Sequence, residues 1–224
     1  MKRLLDFFAS FFGFLLVSPL LLLIALVIKI DSPGAIFFVQ ERVGRKGVMF
    51  KILKFRTMLS RASNEIDQRK EMAVNTGNDP RVTRVGRFLR ATSLDELPQL
   101  LNILKGDMSI VGPRPIIPEQ KPFIPPSYLR RFDAAPGLTG LAQVRGRRSL
   151  GWLEQLAYDR EYVEQQTFWF DLKIIFETAW MVIARKGIYG SPGVNWRTYA
   201  NQLEGREPRD QDVLDAIKLK KGSF

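Results

Sequence analysis

The longest feature of the hydrophobic pattern is an uncharged apolar run over residues 7–28, closed by Lys29. A bilayer core takes about 20 apolar residues at a rise of 1.5 Å each, so the run is long enough for a membrane helix. It exceeds the ~7–15-residue core of a secretory signal, and no small-x-small cleavage site follows, so it reads as a retained segment. Ser18-Pro19 falls near its middle, where proline frees a carbonyl and kinks a helix and a serine hydroxyl can take up part of the lost bonding. Residues 35–58 then read as two short strands around a Gly-containing turn. Lys51, Leu53 and Phe55 fall on one face of the second strand and Ile52, Lys54 and Arg56 on the other, so neither face is cleanly apolar. Residues 60–74 are polar and charged and carry the strongest sign of a boundary.

Asn78-Asp79-Pro80 predicts a helix opening with a capping Asp and a first-turn proline. Val82, Val85 and Leu89 supply its buried side, and Arg81, Arg84, Arg87 and Arg90 recur every third residue. Leu94, Leu97, Leu101 and Leu104 mark a further helix that stops at Lys105-Gly106. A turn cluster at residues 122–126 precedes a helical stretch ending near Asp133. Residues 136–148 are glycine-punctuated with a short strand-like middle and a basic end. Ser149 is the expected cap of a helix through Leu150, Leu153, Leu156, Tyr158 and Tyr162. Residues 168–183 mix aromatics and charges around the helix, so this run cannot cross a bilayer unaided; an interfacial helix and a core helix capped by aromatics both fit it. The charged residues from Glu204 onward read as a peripheral tail. The fold class is α+β and helix-rich.

Charge narrows the partners. Lys and Arg number 34 against 23 Asp and Glu, a net charge of +11, which favours nucleic acid, acidic lipid surfaces or phosphorylated substrates. With no His and no Cys, thiolate zinc sites are excluded, and general-base or nucleophilic work falls to carboxylates, hydroxyls or lysines. A hard cation such as magnesium, held by carboxylate and phosphate oxygens, is the metal such a chain suits. Lys2 and Arg3 on one flank of the apolar run, and Arg42, Arg45, Lys46, Lys51, Lys54 and Arg56 beyond the other, all favour the cytoplasmic side. A helix that breaks at Ser18-Pro19 and returns satisfies both flanks; a straight anchor with a tolerated proline remains open.

The adjacent carboxylates Asp95-Glu96 are the leading chemical candidates. Ser93 and Glu96 have capping-box spacing, yet Pro98 would then sit one turn into the helix, so the helix starts either at Ser93 or at Pro98. Either way the pair lies at a helix N-terminus, where carboxylates are also common for structural reasons alone. Asp95, Gln99 and Asn102 share a face opposite the leucines. Arg90 precedes Asp95 by five residues. Pro113-Arg114-Pro115 holds a guanidinium on a stiff loop, suited to gripping phosphate with two parallel bonds. Neither G-x-G-x-x-G nor a P-loop is present.

Several of these segments, in this order, resemble the small monotopic phosphoglycosyl transferases of bacteria. The resemblance is carried by Ser18-Pro19, Lys54-Phe55-Arg56-Thr57-Met58, Asp79-Pro80-Arg81 through Arg90, Thr92-Ser93-Leu94-Asp95-Glu96-Leu97-Pro98-Gln99, Gly106-Asp107-Met108-Ser109, Gly112-Pro113-Arg114-Pro115 and Pro136-Gly137-Leu138-Thr139-Gly140. It implies a re-entrant membrane helix over residues 1–31, a catalytic domain over 32–203 with interfacial amphipathic helices, and a charged tail over 204–224. It further implies transfer of a phosphosugar from a UDP-sugar to polyprenyl (undecaprenyl) phosphate through a phosphosugar-Asp95 intermediate. Asp95 would be nucleophile and magnesium ligand, with Glu96 as partner carboxylate. Arg90, Arg114 and Arg147 would bind phosphate, with Lys54 and Pro113 also at the substrate; Arg145 competes with Arg147 for that place. The expected location is the cytoplasmic leaflet of the bacterial inner membrane, with no nucleic-acid partner and homo-oligomerisation left open. A membrane-anchored lipid-phosphate hydrolase and a protein that binds anionic surfaces are the alternatives.

Overall fold

The computed structural model describes residues 1–59, 79–146, 149–184 and 195–221. The apolar run lies within one helix, α1 (Lys2–Asp31), the one described helix long and apolar enough to cross a membrane. Helical structure continues through Pro19, where the sequence leads one to expect a break. The reason is local. Pro19 cannot donate to the Leu15 carbonyl one turn back, and the Ser18 hydroxyl donates to it instead at 2.9 Å.

Both ends of α1 are fastened to the rest of the fold. Lys2 pairs with Asp171, and the Arg3 guanidinium donates to the Ile103 and Leu104 carbonyls. Asp6 is buried and accepts from the Ser109 hydroxyl at 2.8 Å and the Ile110 N–H at 3.1 Å. At the far end Ile24 and Ile28 pack with Phe55 and Leu89, and Asp31 accepts from the Val85 N–H at 3.3 Å. Between these anchors the helix is bare, with Phe11, Phe12, Leu15, Leu16, Leu22 and Leu23 exposed.

The predicted hairpin is present: β1 (Phe37–Val43) and β2 (Met49–Phe55) pair antiparallel, from Phe37 opposite Phe55 to Val43 opposite Met49. Phe50 and Ile52 are buried against Ile103 and Met108, whereas Phe55 is buried against α1. The strand is therefore covered by different partners on its two faces, which is why its sequence shows no clean alternation.

Helix α2 (Arg84–Thr92) begins later than Asp79-Pro80 indicated, capped by Thr83, whose hydroxyl accepts from the Gly86 N–H at 2.9 Å. Residues 81–83 are occupied in bridging the chain that leaves β2: the Leu59 N–H donates to Arg81 and the Thr83 N–H to Thr57. Asp79 instead grips the Arg81 guanidinium, Oδ1 to Nε at 2.9 Å and Oδ2 to Nη2 at 2.6 Å, which holds its carboxyl at about 2.

After α3 (Leu100–Lys105) come two three-residue strands, β3 (Ser109–Val111) and β4 (Gly137–Thr139), paired parallel. Between them the proline clusters form 3-10 turns at Pro118–Phe123 and Pro126–Asp133. Helix α4 (Leu141–Arg145) follows, then α5 (Trp152–Gln165) and α6 (Phe168–Ile183). Ser149 does not cap α5; its hydroxyl turns back to the Gly146 carbonyl, and the Glu154 carboxylate closes the helix start by accepting from the Gly151 N–H at 2.9 Å.

Helices α7 (Trp196–Gln202) and α8 (Asp210–Lys221) complete the described chain. The expected peripheral tail is instead part of the core: Val213 is fully buried with Leu156, Tyr199 and Leu203, and Asp210 accepts from the Ser127 N–H at 3.1 Å. One buried valine in a charged stretch carries too little periodicity to be noticed. The architecture is α+β and helix-rich, as expected, while residues 60–74 lie outside the described part.

Candidate active site

Ser93 makes the corner on which the site turns. It ends α2 in the left-handed region, φ 58° and ψ 16°, an uncommon conformation for a residue other than Gly, Asn or Asp. The chain then enters a 3-10 turn over Leu94–Gln99 before α3 begins at Leu100. This settles the two readings of the helix start, since Pro98 sits inside the 3-10 turn and the regular helix begins two residues later. Ser93 makes no side-chain cap, although the Glu96 N–H does reach the Ser93 carbonyl at 3.2 Å.

The polar face carrying Asp95, Gln99 and Asn102 is turned inward, onto the hairpin. Gln99 and Asn102 are buried. Asn102 accepts from the Leu53 N–H at 3.0 Å and donates to the Lys51 carbonyl at 2.8 Å, completing the outer edge of β2. This contact locks the carboxylate turn to the strand that carries Lys54.

Lys54 and Arg114 both meet Glu96 Oε1, the ammonium at 2.7 Å and a guanidinium nitrogen at 3.1 Å. The Lys54 and Glu96 side chains are only 16% and 19% exposed, so the pair is shielded, whereas Arg114, at 47%, still faces open space. Burial pushes the Glu96 carboxyl up, but Lys54 and Arg114 together hold it well below the usual carboxylate range. Lys54 moves down: burial outweighs the pull of Glu96, and Arg114 repels it as well. Lys54 and Arg114 both pull on Glu96, whereas Arg114 and burial oppose the pull of Glu96 and Asp95 on Lys54, so the carboxylate gains more from the cluster than the ammonium does. Arg114 is pushed up, chiefly by Glu96. Arg42 lies close enough to feel the same charges and is lowered to about 10 by burial and by Arg114.

Asp95, Glu96, Arg90 and Arg114 line a cavity of about 610 Å³, within the range of small-molecule sites. Arg90 has no hydrogen-bond or ion-pair partner among the described residues. Across from them stand Gln143, Gln155, Asp159 and a set of residues from α6. Asp159 is deeply buried against Arg131 at 2.8 Å, and burial, opposed by Arg131, pushes its carboxyl up to about 6. Arg131 also donates to the Arg114 carbonyl at 2.7 Å, so the buried pair fixes the backbone of the arginine loop.

Of the residues expected at the site, Asp95, Glu96, Arg90 and Arg114 come together in one cavity. Lys54 reaches it through Glu96. Pro113 lies beside it, its carbonyl accepting from the Gly137 N–H at 2.9 Å, and Arg145 is exposed at the end of α4, away from the cavity wall. Arg147 lies outside the described residues. The sequence reading did not single out Asp159. Its signal was a charged residue three positions from both Leu156 and Tyr162, inside the apolar stripe of α5.

A family model, described as bacterial sugar transferase, matches residues 1–185. The chain belongs to the bacterial sugar transferase family. It is 45% identical over 196 residues to a UDP-glucose:undecaprenyl-phosphate glucose-1-phosphate transferase of Caulobacter vibrioides, a match covering 84% of this chain and 72% of that protein. Over 198 residues it is 38% identical to the exopolysaccharide production protein ExoY of Rhizobium meliloti, covering 84% and 88%. It is also 40% identical over 202 residues to an undecaprenyl-phosphate galactose phosphotransferase of Salmonella typhimurium, covering 84% of this chain and 42% of that protein. Residues 1–185 contain α1, the hairpin and every described cavity residue.

Proposed function

We propose that this sugar transferase moves a sugar 1-phosphate from a UDP-sugar to undecaprenyl phosphate, with Asp95 as nucleophile. The observation that carries this reading is the gathering of two adjacent carboxylates and two arginines in one cavity. Glu96 pairs with Lys54 and Arg114, and Asp95 lines the cavity together with Arg90 and Arg114. Arg90 and the open side of Arg114 grip the diphosphate of the donor. An Asp95 oxygen attacks the phosphorus that bears the sugar. A bond forms from Asp95 to phosphorus, the bond from phosphorus to the bridging oxygen breaks, and UMP leaves with the electron pair. An oxygen of undecaprenyl phosphate then attacks the same phosphorus, releasing Asp95 and giving undecaprenyl diphosphosugar. With its low pKa, Glu96 is a poor proton acceptor, and its part is to hold the two cations in place.

Among the described residues there is no cluster of three or more His, Cys, Asp or Glu side chains around a metal position. Magnesium needs only one or two carboxylates when phosphate oxygens and water complete its shell, so Asp95 fits as its protein ligand beside the donor diphosphate. When bound there it would offset charge on the transferring phosphate.

The two anchored ends of α1 support a re-entrant membrane helix. A spanning helix places its ends on opposite faces of a core about 30 Å thick, whereas here both ends bond to one folded body. The protein is then monotopic in the cytoplasmic leaflet of the inner membrane, with both ends of α1 on the cytoplasmic side. Exposed Phe168, Trp169, Phe176 and Trp180 on α6 lie at the headgroup level.

The reading is tested by incubating the detergent-solubilised protein with magnesium, undecaprenyl phosphate and a panel of UDP-sugars while following UMP. Turnover with at least one sugar, loss of at least 1,000-fold in Asp95→Asn (about 4 kcal/mol of barrier), and a phosphosugar adduct on Asp95 by mass spectrometry are expected. No UMP from any sugar, or unchanged turnover in Asp95→Asn, overturns it.

A further inference from the structure

The cavity has two chemically different walls. The α2 end and the 3-10 turn supply Arg90, Asp95 and Glu96, and α6 supplies Ile175, Thr178, Ala179, Met181 and Val182. Ile175, Ala179 and Val182 fall at i, i+4 and i+7, so they form one strip along the helix, about 10 Å long at 1.5 Å per residue. All three are exposed. Thr178 adds little polarity, because its hydroxyl is turned to Thr139 at 2.6 Å and to the Ile174 carbonyl at 2.7 Å. The strip adjoins Phe176 and Trp180, each 66% exposed on the outer face of α6. A continuous apolar track therefore runs from the outside of α6 into the cavity that holds the phosphate-binding arginines.

The reaction geometry fixes what must lie near this track. In phosphoryl transfer the entering and leaving oxygens are in line. If Asp95 enters opposite UMP, the second attacking oxygen must enter opposite Asp95, from the side that UMP vacated. A water-soluble nucleotide has no use for a strip of aliphatic side chains open to the outside, whereas an acceptor with an anionic head and a long apolar tail matches both walls at once.

We infer that the Ile175–Ala179–Val182 strip of α6 seats the first isoprene units of the acceptor lipid, with its phosphate held by Arg90 and Arg114. This rests on the transferase reading above and adds to it a chain-binding subsite. Ala179 is the smallest of the three, and a large side chain there would fill the track.

The test compares the two substrates in one enzyme. In a two-step exchange, kcat/KM for each substrate reports its own half-reaction. Ala179→Trp is expected to lower kcat/KM for undecaprenyl phosphate at least tenfold while leaving that for UDP-glucose or UDP-galactose within twofold of wild type. Ile175→Asn, which replaces an aliphatic side chain by a polar one, should show the same asymmetry. Binding of a fluorescent polyprenyl phosphate, which needs no turnover, should weaken by a similar factor in both variants. Equal losses for both substrates in both variants, or unchanged lipid kinetics and binding, overturn the assignment. A wild-type protein that releases no UMP from any UDP-sugar defeats the transferase reading instead, and the binding arm still decides whether the strip holds the lipid.

Discussion

Replacing Glu96 by Gln keeps the shape of the side chain and removes the charge that Lys54 and Arg114 share. Lys54 is the more affected partner, because its ammonium is largely shielded and 2.7 Å from the carboxylate. A hydrogen bond to a charged group contributes roughly 1.5–3 kcal/mol, and stranding a shielded charge raises the cost of a broken pair to about 3–5 kcal/mol. Arg114 is half exposed, so its share is at the low end of the exposed-pair range, about 0–1 kcal/mol. A loss of about 3 kcal/mol therefore comes mainly from Lys54. In a chain of this size each kcal/mol moves Tm by about 2–4 °C, so the variant should melt roughly 6–12 °C lower.

The pH dependence carries a sign as well. Burial lowers the Lys54 pKa and Glu96 raises it, so the variant must lower it further. Lys54 then loses its proton at a lower pH, and the alkaline limb of kcat/KM for UDP-sugar should shift acidward in Glu96→Gln. Because Glu96 has a depressed pKa, the stability it contributes is present above its unfolded value of about 4.3 and disappears as pH falls through the folded value. The Tm gap between wild type and variant should thus be full at neutral pH and close in acid. Adding Lys54→Met to Glu96→Gln removes the stranded ammonium and should recover most of the lost Tm without recovering activity. A variant that melts like wild type and keeps its alkaline limb would refute the clamp. So would a double variant no more stable than Glu96→Gln.

Three further outcomes follow from the fold. Asp159 has a folded pKa of about 6, above its ordinary ~3.9, so its favourable contribution is complete below about pH 4 and lost as pH rises to 6. The Tm of wild type relative to Asp159→Asn should fall across that window in thermal melts and stay level above it; a constant difference contradicts the assignment. A Cβ on Gly86 would come within 2.1 Å of the Thr57 carbonyl oxygen, so Gly86→Ala must push α2 off the chain leaving β2, at about 1–3 kcal/mol, with a matching drop in Tm and weaker donor binding through displaced Arg90. Finally, tags at both chain ends should be accessible only from the cytoplasm, and Pro19→Ala, which restores a backbone donor inside α1, should favour a spanning helix; an N-terminus reachable from outside in the wild type would exclude the re-entrant form.

Legibility in the sequence tracks how locally each feature is encoded. The apolar run, the hairpin, α6 and the Asp95-Glu96 turn were readable because their signals lie within a few residues of one another. The start of α2 was misplaced because Asp79-Pro80 is a sound local cap; it lost to Thr83 when residues 81–83 were drawn into bridging Thr57 and Leu59, a contact that local sequence cannot show. Strands β3 and β4 have three residues each and exist through each other. The leucine spacing of residues 94–104 pointed to the wrong buried face. Asn102 is buried because its amide replaces a missing strand neighbour for Lys51 and Leu53, so a polar residue does the work of a β-ladder there. Asp159 and the α6 strip enter the site only through tertiary folding, from positions 64 and more residues beyond Asp95 in the numbering.

The adjacency of the two carboxylates acquires a physical reason from this arrangement. Two acidic side chains side by side are a poor welcome for a diphosphate, and a lone Asp would expose the donor to less repulsion. The second acid is useful because it brings its own cations: Lys54 arrives from the hairpin and Arg114 from the proline loop. Glu96 thus turns a negative position into a net positive one while leaving the Arg114 guanidinium half open toward the cavity. Asn102 ties the same turn to β2, so the strand that delivers Lys54 and the turn that presents Asp95 move as one piece. With Glu96 holding these cations, Asp95, as the proposed nucleophile, would meet two successive anions, first the donor diphosphate and then the lipid phosphate, against a fixed cationic background that neither step has to rebuild.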